Sequence, residues 1–373
     1  MFYREAGDFS ASYEEDSQTF PIKFDRYRYY LVLFIAIAVI PFVINDYWVN
    51  SLFLPFLIYA IAAIGLNILT GYCGQVSLGT GGFMAVGAYS CYKLMTVFPD
   101  VSILIHVILA GGITAAVGAA FGLPSLRIKG FYLAIATLAV FVIVEELVIL
   151  LEPITGGVGG IMAPSISIFG LSFDRYAALP NFYWLVLGIV ALVTWGYANL
   201  MRSPTGRSFL AVRDSEVSAR ALGINVTRTR ALAFGLSSGV TGLAGALMGH
   251  YIGFFNYELF SVIISINLLL VVTIGGLGSI QGAFLGAILI TAVPQLIAIV
   301  RDWANTTIGV NIGSIPGLDT MIFSGVLIAF IIYEPLGLYG RWLKTRTWFE
   351  LFPLARRDMF RRQKSYLKTE RTK

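Results

Sequence analysis

Long apolar runs separated by short polar stretches dominate the pattern of this sequence. About 20 apolar residues cross a bilayer as a helix, and most of the runs approach that length. A membrane barrel would instead show short segments of alternating hydrophobicity. The pattern therefore predicts ten membrane-spanning helices. They are expected at Tyr29–Ile44, Leu52–Thr70, Val76–Phe98, Ile103–Leu123, Phe131–Leu151, Phe182–Leu200, Ala231–Ile252, Phe260–Ile274, Gln281–Val300 and Leu318–Tyr339.

The composition agrees with this prediction. Of the 373 residues, 57% are hydrophobic and 13% are charged, whereas charged residues make up about a quarter of a soluble domain. We therefore expect an all-α polytopic membrane protein with a polar N-terminal extension (1–28), a membrane domain (29–340) and a basic, aromatic tail (341–373). The extension lacks the ordered regions of a signal peptide, so the first apolar run is expected to be a retained helix.

The distribution of Lys and Arg predicts the orientation. If the N-terminus is cytoplasmic, ten spans place the Arg127/Lys129 connection, the loop Met201–Arg230 and the tail on the cytoplasmic side. The connections on the other side then contain only Arg175 and Arg301 as basic residues. Because basic residues concentrate in cytoplasmic loops, both termini are expected inside the cell. The tail interleaves aromatic and basic residues, which is typical of a segment lying on anionic lipid.

The loop Met201–Arg230 is a basic, water-facing stretch between two apolar runs. Its centre has the pattern of a short helix, with Asp214 as the N-cap and Gly223 closing the C-terminus. Glu216 and Arg220 are spaced i, i+4 in the order that favours an ion pair. Val217, Ala221 and Ile224 fall on one face of this helix. Because a helix of two turns is marginal in water, we expect it to dock against a partner.

Glycines cluster after two of the predicted spans, at Gly71–Phe83 and at Gly275–Ala287. Small residues allow membrane helices to pack closely, which is one interpretation of both clusters. The other is that they break the helices and line a pathway. Their similar positions also indicate a weak parallel internal repeat, and they make Val76–Phe98 a candidate for a broken or re-entrant span.

The sequence lacks the motifs of several enzyme classes. It contains no G-x-x-x-x-G-K-[ST] pattern, so the chain does not bind ATP through a P-loop of its own. It contains no His-Glu-x-x-His pattern and no cysteine cluster, and its histidines, His106 and His250, are far apart. No catalytic residue and no metal site are therefore predicted. Cys73 and Cys91 lie in apolar sequence and are expected to be packing residues.

Two adjacent carboxylates, Glu145 and Glu146, lie in the outer half of the fifth predicted span. Consecutive helical residues point about 100° apart, so the two carboxylates meet different surroundings. Because a charge inside the bilayer costs a few kcal/mol, each faces either a transport route, a partner subunit or the outer interface. These carboxylates and the glycine clusters leave open an alternative function, that of an ion-coupled secondary carrier or channel.

Four segments together resemble the permease subunits of branched-chain amino acid ABC importers, and more closely the larger of the two permeases that such importers pair. The resemblance extends from about Leu52 to Gly340. The first segment, Asn67–Tyr89, and the last, Gly275–Ala287, contain the glycine clusters. The second runs from Arg127 to Ala139 and continues through Glu145 to Thr155–Ile161, and the third is Ser203–Asn225.

The resemblance implies a subunit of the bacterial inner membrane that moves branched-chain or related amino acids, or similar small polar solutes, inward. Its partners would be a second, different permease, two ATPases that bind ATP and magnesium, and a periplasmic solute-binding protein; this chain itself would hold no cofactor. The Ser203–Asn225 segment would be the loop that couples to the ATPase. The implied coupling residues are Arg213, Asp214, Glu216, Val217, Arg220, Ala221, Leu222 and Gly223. The residues expected along the pathway or gate are Asn67, Gln75, Ser77, Thr137, Glu145, Thr155, Gly156, Gly157, Gly275, Gly276 and Gly278.

Overall fold

The computed structural model describes residues 23–125, 130–168, 171–173, 175, 178–308, 317–334 and 337–351. Residues 1–22 of the expected extension, the Arg127/Lys129 connection and residues 352–373 of the tail lie outside these ranges. The chain divides into two compact units, one formed by residues 40–339 and the other by residues 1–39 with 340–373. The boundaries of the three parts expected from the sequence stay a prediction.

Each predicted apolar run coincides with helical structure in the described ranges. The membrane helices are interrupted in three places by π-helical turns, at Ile35–Val39, Val49–Phe53 and Ile68–Tyr72. The α-helices are α1 Lys23–Phe34, α2 Ile40–Val43, α3 Asp46–Trp48, α4 Leu54–Asn67, α5 Thr80–Val97, α6 Ile103–Ser125, α7 Phe131–Leu150, α8 Glu152–Thr155, α9 Leu179–Arg202, α10 Pro204–Asp214, α11 Glu216–Ala221, α12 Val226–Ile252, α13 Val262–Gly275, α14 Ile280–Ile308, α15 Leu318–Tyr333 and α16 Gly337–Leu351.

Seven helices in the described ranges are long and apolar enough to span a membrane. An eighth is added if the segments Thr320–Tyr333 and Gly337–Thr347 are counted as one bent span. The helix at Tyr30–Phe42 is apolar but shorter, and α5 is an 18-residue helix that contains several Gly, Ser and Thr residues. The fold is therefore all-α and polytopic, and the count of ten spans stays a prediction.

Helix α12 is the centre of the bundle and packs against α4, α5 and α6. Glycines make this packing close. A Cβ at Gly242 would lie 2.5 Å from the Thr114 hydroxyl of α6, and a Cβ at Gly65 of α4 would lie 2.9 Å from Thr241 of α12. Small residues thus bring four helices together at backbone distance, as expected where lipid supplies no hydrophobic drive between helices.

Short strands join the connections at the end of α12 that lies away from the Met201–Arg230 loop. Strand β1 (Ile161–Met162) pairs antiparallel with β4 (Phe254–Phe255), and β2 (Ser167–Ile168) pairs with β3 (Leu171–Ser172). Arg175 also reaches this end, where its Nε donates to Asn50 Oδ1 at 2.6 Å and its Nη1 donates to the Tyr251 carbonyl. These bonds fix the α8–α9 connection onto the bundle.

Candidate functional site

The two glycine clusters form chain breaks that touch each other. After the π-helical turn Ile68–Tyr72, residues 73–79 are not helical, and α5 begins only at Thr80. The second break separates α13 from α14. A Cβ at Gly71 would lie 2.5 Å from the backbone nitrogen of Gly278. Helix breaks and close glycine packing are therefore both present at these clusters. That the breaks line a pathway stays a prediction.

Asn67, the last residue of α4, bonds the end of that helix to the second break. Its Nδ2 donates to the Ser279 carbonyl at 2.9 Å and to the Tyr197 hydroxyl at 3.1 Å, and its Oδ1 accepts from the Gly278 backbone nitrogen at 2.9 Å. Asn67 is fully buried. Its amide thus satisfies backbone groups of a segment that has no helical partners of its own, which a buried break requires.

Arg213, in the last turn of α10, connects the basic loop to this node. Its Nη1 donates to the Gly71 carbonyl at 2.9 Å, and its Nε and Nη2 lie 3.1 Å from Asp214 Oδ1. A Cβ at Gly74, where φ is +70°, would lie 2.9 Å from Arg213 Cγ. The final carbonyls of a helix carry partial negative charge and lack intrahelical donors. The arginine therefore caps the end of the π-helical turn.

The loop itself folds as two short helices, α10 and α11. The N-cap of α11 is Ser215, whose hydroxyl accepts from the Ser218 backbone nitrogen at 3.2 Å. The prediction that Asp214 caps this helix is wrong, because Asp214 is still the last residue of α10 and the backbone becomes extended only at Ser215. At the other end the prediction is confirmed. Gly223 has a φ of +81° and closes the helix by donating to the Arg220 carbonyl at 3.0 Å.

Glu216 forms an ion pair with Arg230 of α12, not with Arg220. The predicted i, i+4 pair is thus replaced by a contact across the loop, while Arg220 is exposed. Arg230 is only 7% exposed, and an ion pair gains more in partly buried surroundings than on a solvated helix face. This pair attaches the first turn of α11 to the base of α12.

The outward face of α11 is apolar. Val217 is 81% exposed and Leu222 is 79% exposed, and Ala221 beside them is exposed as well. Ala219, by contrast, is buried against the bundle. Ile224, expected on the same face as Val217, packs partly against the core instead, because the turn at Gly223 redirects the chain.

The non-helical segment 73–79 contains polar side chains inside the bundle. Thr137 of α7 holds it by accepting from the Leu78 backbone nitrogen at 2.9 Å, and the Ser77 hydroxyl accepts from the Gly79 nitrogen at 3.3 Å. Gln75 is 3% exposed, and within the described ranges neither its amide oxygen nor its amide nitrogen has a hydrogen-bond partner. Buried polar groups are nearly always paired, so Gln75 is an exception at the break.

The remaining predicted pathway residues do not all join this node. Gly275 and Gly276 lie at the second break, where a Cβ at Gly275 would overlap the Gly282 carbonyl. Thr155 is the last residue of α8, just beyond the far end of α7, where its hydroxyl donates to the Leu151 carbonyl at 2.9 Å and accepts from the Gly157 nitrogen at 3.3 Å. Gly156 follows with a φ of +73°. In α7, Glu145 is half-buried and Glu146 is exposed, which agrees with their expected different surroundings.

Sequence reasoning missed three participants: Tyr197, Ser279 and Arg230. Tyr197 and Ser279 lie 130 and 212 residues from Asn67 along the chain. The sequence around each of them contains no pattern that indicates a contact with Asn67. Arg230 was counted only as one of the basic residues that orient the loop. Its position at the start of an apolar run was the available signal, since a cation there needs a partner if it is buried. Among the described residues, no group of three or more His, Cys, Asp and Glu side chains is arranged to hold a metal ion.

Comparison with known proteins gives the family. Residues 49–332 match the model described as the permease component of branched-chain amino acid transport systems. The chain belongs to this family of permeases. With its seven apolar helices of spanning length in the described ranges, the permease is a multi-pass membrane protein.

The permease is similar to several curated proteins. It is 31% identical, over 84% of its own length and 75% of theirs, to the high-affinity branched-chain amino acid transport system permease proteins LivM of Salmonella typhimurium and Escherichia coli. It is 34% identical, over 36% of its length and 40% of the relative's, to the autoinducer 2 import system permease protein LsrC of Klebsiella pneumoniae. No solved structure gives a significant match.

Proposed function

We propose that this permease is a transmembrane subunit of an ATP-binding-cassette importer of the bacterial inner membrane. It moves branched-chain or related amino acids, or similar small polar solutes, inward by alternating access. Separate ATPase subunits bind ATP and magnesium and drive the cycle. A second permease and a periplasmic solute-binding protein complete the complex, and the basic tail rests on anionic lipid.

One observation carries the proposal: a short capped helix, α11, presents exposed Val217 and Leu222 from a loop that is bonded to the first break and to α12. Exposed apolar groups of this kind indicate a docking surface for another protein. Because the sequence has no P-loop, an energy-supplying ATPase is the partner that this surface suits. Arg220 beside it supplies an exposed charge for the same contact.

The substrate class rests on the relatives. Those named for branched-chain amino acids align with 84% of this chain, whereas the autoinducer 2 relative from Klebsiella pneumoniae aligns with 36%. The first class is therefore the better-supported one. Uptake of radiolabelled leucine into proteoliposomes containing the whole complex and the solute-binding protein, competed with unlabelled autoinducer 2, tests the choice. Competition by autoinducer 2 and not by valine would overturn it.

The docking surface is tested by the double variant Val217→Asp/Leu222→Asp. Two carboxylates on this face should abolish co-purification of the ATPase subunits and ATP-driven uptake, while membrane insertion is unchanged. Thr227→Asp is the matched control, because it adds a carboxylate to an exposed position of the same loop, where a helix N-terminus favours it. Equal ATPase co-purification from the double variant and the control would contradict the assignment.

Liposomes that contain this chain alone distinguish the importer from the alternative function, an ion-coupled carrier. We expect this chain alone, in liposomes, to give no leucine flux under a proton or sodium gradient. A gradient-driven flux that disappears in Glu145→Gln/Glu146→Gln would overturn the proposal in favour of the carrier. Restoration of uptake only by ATP and the ATPase subunits would support the importer.

A further inference from the structure

We propose that Arg213 acts as a positioning residue that transmits movement of the Met201–Arg230 loop to the two chain breaks, and that it does not serve as a contact to the ATPase. This inference rests on the proposed function. It differs from the role that resemblance implied for Arg213, which was a charged contact in the docking surface. The reason lies in the hydrogen bonds of the guanidinium: Nη1 donates to the Gly71 carbonyl of the bundle, and Nε and Nη2 are engaged by Asp214 of its own helix, so the donors are already used although the side chain is 39% exposed.

The carbonyl that accepts from Arg213, that of Gly71, lies at a weak point of its helix. Gly71 belongs to the π-helical turn Ile68–Tyr72, and π-helical turns inside membrane helices are frequent at functional sites. Just beyond it, the Gln75 backbone nitrogen reaches back to the Leu69 carbonyl at 3.0 Å, so the chain turns sharply away from the helix. A donor bound to the Gly71 carbonyl therefore holds the exact point at which α4 gives way to segment 73–79.

Movement of the first break also displaces the second. Gly71 and Gly278 are packed so closely that a Cβ at Gly71 would meet the Gly278 nitrogen at 2.5 Å. Asn67 also bonds Gly278 and Ser279 from one side chain. A displacement of Gly71 is thus passed to Gly278 by contact and by hydrogen bonds, and one guanidinium acts on both breaks.

Arg213 is close in sequence to the helix that carries the docking face, in the loop that the sequence predicts to be cytoplasmic. It lies three residues before Glu216, the first residue of α11. Glu216 attaches α11 to Arg230 of α12, so the loop is held at two points, one on the central helix and one on the breaks. A force applied to Val217 or Leu222 is therefore opposed by the ion pair to α12. The resulting movement of the loop displaces Gly71 through its bond to Arg213.

The test measures leucine molecules imported per ATP hydrolysed by the complete complex with its solute-binding protein. In Arg213→Ala the ATPase subunits should co-purify as in the unmodified protein and still hydrolyse ATP, while import per ATP falls at least tenfold. Arg213→Lys keeps one charged donor within reach of the Gly71 carbonyl and should recover part of the ratio. Arg207→Ala is the matched control, since Arg207 is on the same helix and donates to the Arg202 carbonyl within the loop at 3.0 Å.

A second measurement follows the break itself. In a Cys91→Ala background, Cys73 is the remaining native thiol, and it follows directly after the π-helical turn. Its maleimide labelling should change when ATP is added, and this change should be lost in Arg213→Ala. If Arg213→Ala inserts poorly, Arg213→Met, which keeps the side-chain length but has no donor, is measured in its place.

Two outcomes would overturn the inference. Loss of ATPase co-purification in Arg213→Ala with retention in Arg207→Ala would make Arg213 a docking residue. An unchanged import ratio together with unchanged ATP-dependent labelling would show that the bond to Gly71 transmits nothing. Failure of the proposed function is recognised separately, because the unmodified complex would then import no leucine with ATP.

Discussion

At the scale of single residues, the node around Asn67 is made of groups with opposite hydrogen-bonding states. Asn67 uses both ends of its amide, toward Ser279, Tyr197 and Gly278. Gln75, a few residues along the chain, uses neither end within the described ranges. A satisfied amide rigidifies its surroundings, whereas an unpaired one raises the free energy of the folded state by about 1–3 kcal/mol. Gln75 is therefore the better candidate for contact with the solute.

Gln75→Leu should separate transport from stability. Replacing an unpaired buried amide with an apolar side chain of similar size is neutral or stabilising, so the thermal unfolding temperature in detergent should stay equal or rise. Leucine uptake should fall at least tenfold, because the variant lacks the polar group that we expect to contact the solute. A lower unfolding temperature would instead mean that Gln75 has a structural partner. Asn67→Leu is the contrasting variant and should lower the unfolding temperature.

Cys73 predicts a pH dependence of labelling. Burial raises the pKa of its thiol to about 12, with Glu216 raising it further and Arg230 lowering it. The reactive thiolate is thus scarce at neutral pH, and its fraction increases about tenfold for each pH unit up to about pH 11. In Cys91→Ala, the maleimide rate should still rise between pH 9 and pH 10, where the rate of a free cysteine levels off. A rate that levels off near pH 9 would show that Cys73 is exposed.

At the scale of elements, part of this site follows from sequence and part does not. The glycine closing α11 was predicted correctly, because a C-terminal cap depends on residues adjacent along the chain. The N-cap was assigned one residue early, since Asp214 and Ser215 both suit a cap and only the path of α10 decides between them. The ion-pair partner predicted for Glu216 was wrong for a different reason. Helical spacing indicates only which residues of the same helix are neighbours, and Arg230 is on another helix.

The contact between the two breaks predicts unequal effects of adding one methyl group. Gly71→Ala places a Cβ against Asn67 Oδ1 and 2.5 Å from the Gly278 nitrogen, so it should displace the Asn67 amide, force the breaks apart and reduce both uptake and unfolding temperature. Gly112→Ala is the control, because a Cβ there meets no other described atom within 4 Å. In the helix α6 it should be neutral or stabilise by up to about 1 kcal/mol. Equal effects of the two variants would contradict close contact between the breaks.

At the scale of the whole molecule, ten predicted apolar runs all form helix, yet fewer meet the length and hydropathy of a span. The difference arises at three runs. Tyr29–Ile44 forms a shorter apolar helix, Leu318–Tyr339 falls in the bent pair of helices, and Val76–Phe98 begins with the non-helical segment. Average hydropathy cannot foresee that non-helical start, because it depends on tertiary contacts such as the Thr137 hydroxyl accepting from the Leu78 backbone nitrogen. The close packing of α12 against α4, α5 and α6 also cannot be read from hydropathy, because it requires the glycines to lie on the faces where these helices meet.

The orientation is testable with single cysteines in a Cys73→Ala/Cys91→Ala background. Ser208→Cys in α10 should be protected from a membrane-impermeant maleimide in intact cells and should react after the cells are opened. Val158→Cys, exposed on the opposite connection, should react in intact cells. The reverse pattern would contradict the cytoplasmic assignment of the loop.

The sequence by itself determined what depends on local pattern: an all-α membrane protein, the positions of its helices, a basic loop with a short helix, and two glycine clusters. The tertiary structure decided which distant groups meet. Arg213 and Gly71 are 142 residues apart, and Glu216 and Arg230 are on different helices. Apolar periodicity reports which face of a helix avoids water, but it carries no information on which neighbour covers that face. The basic loop could be foreseen for that reason, and its connection to the breaks could not.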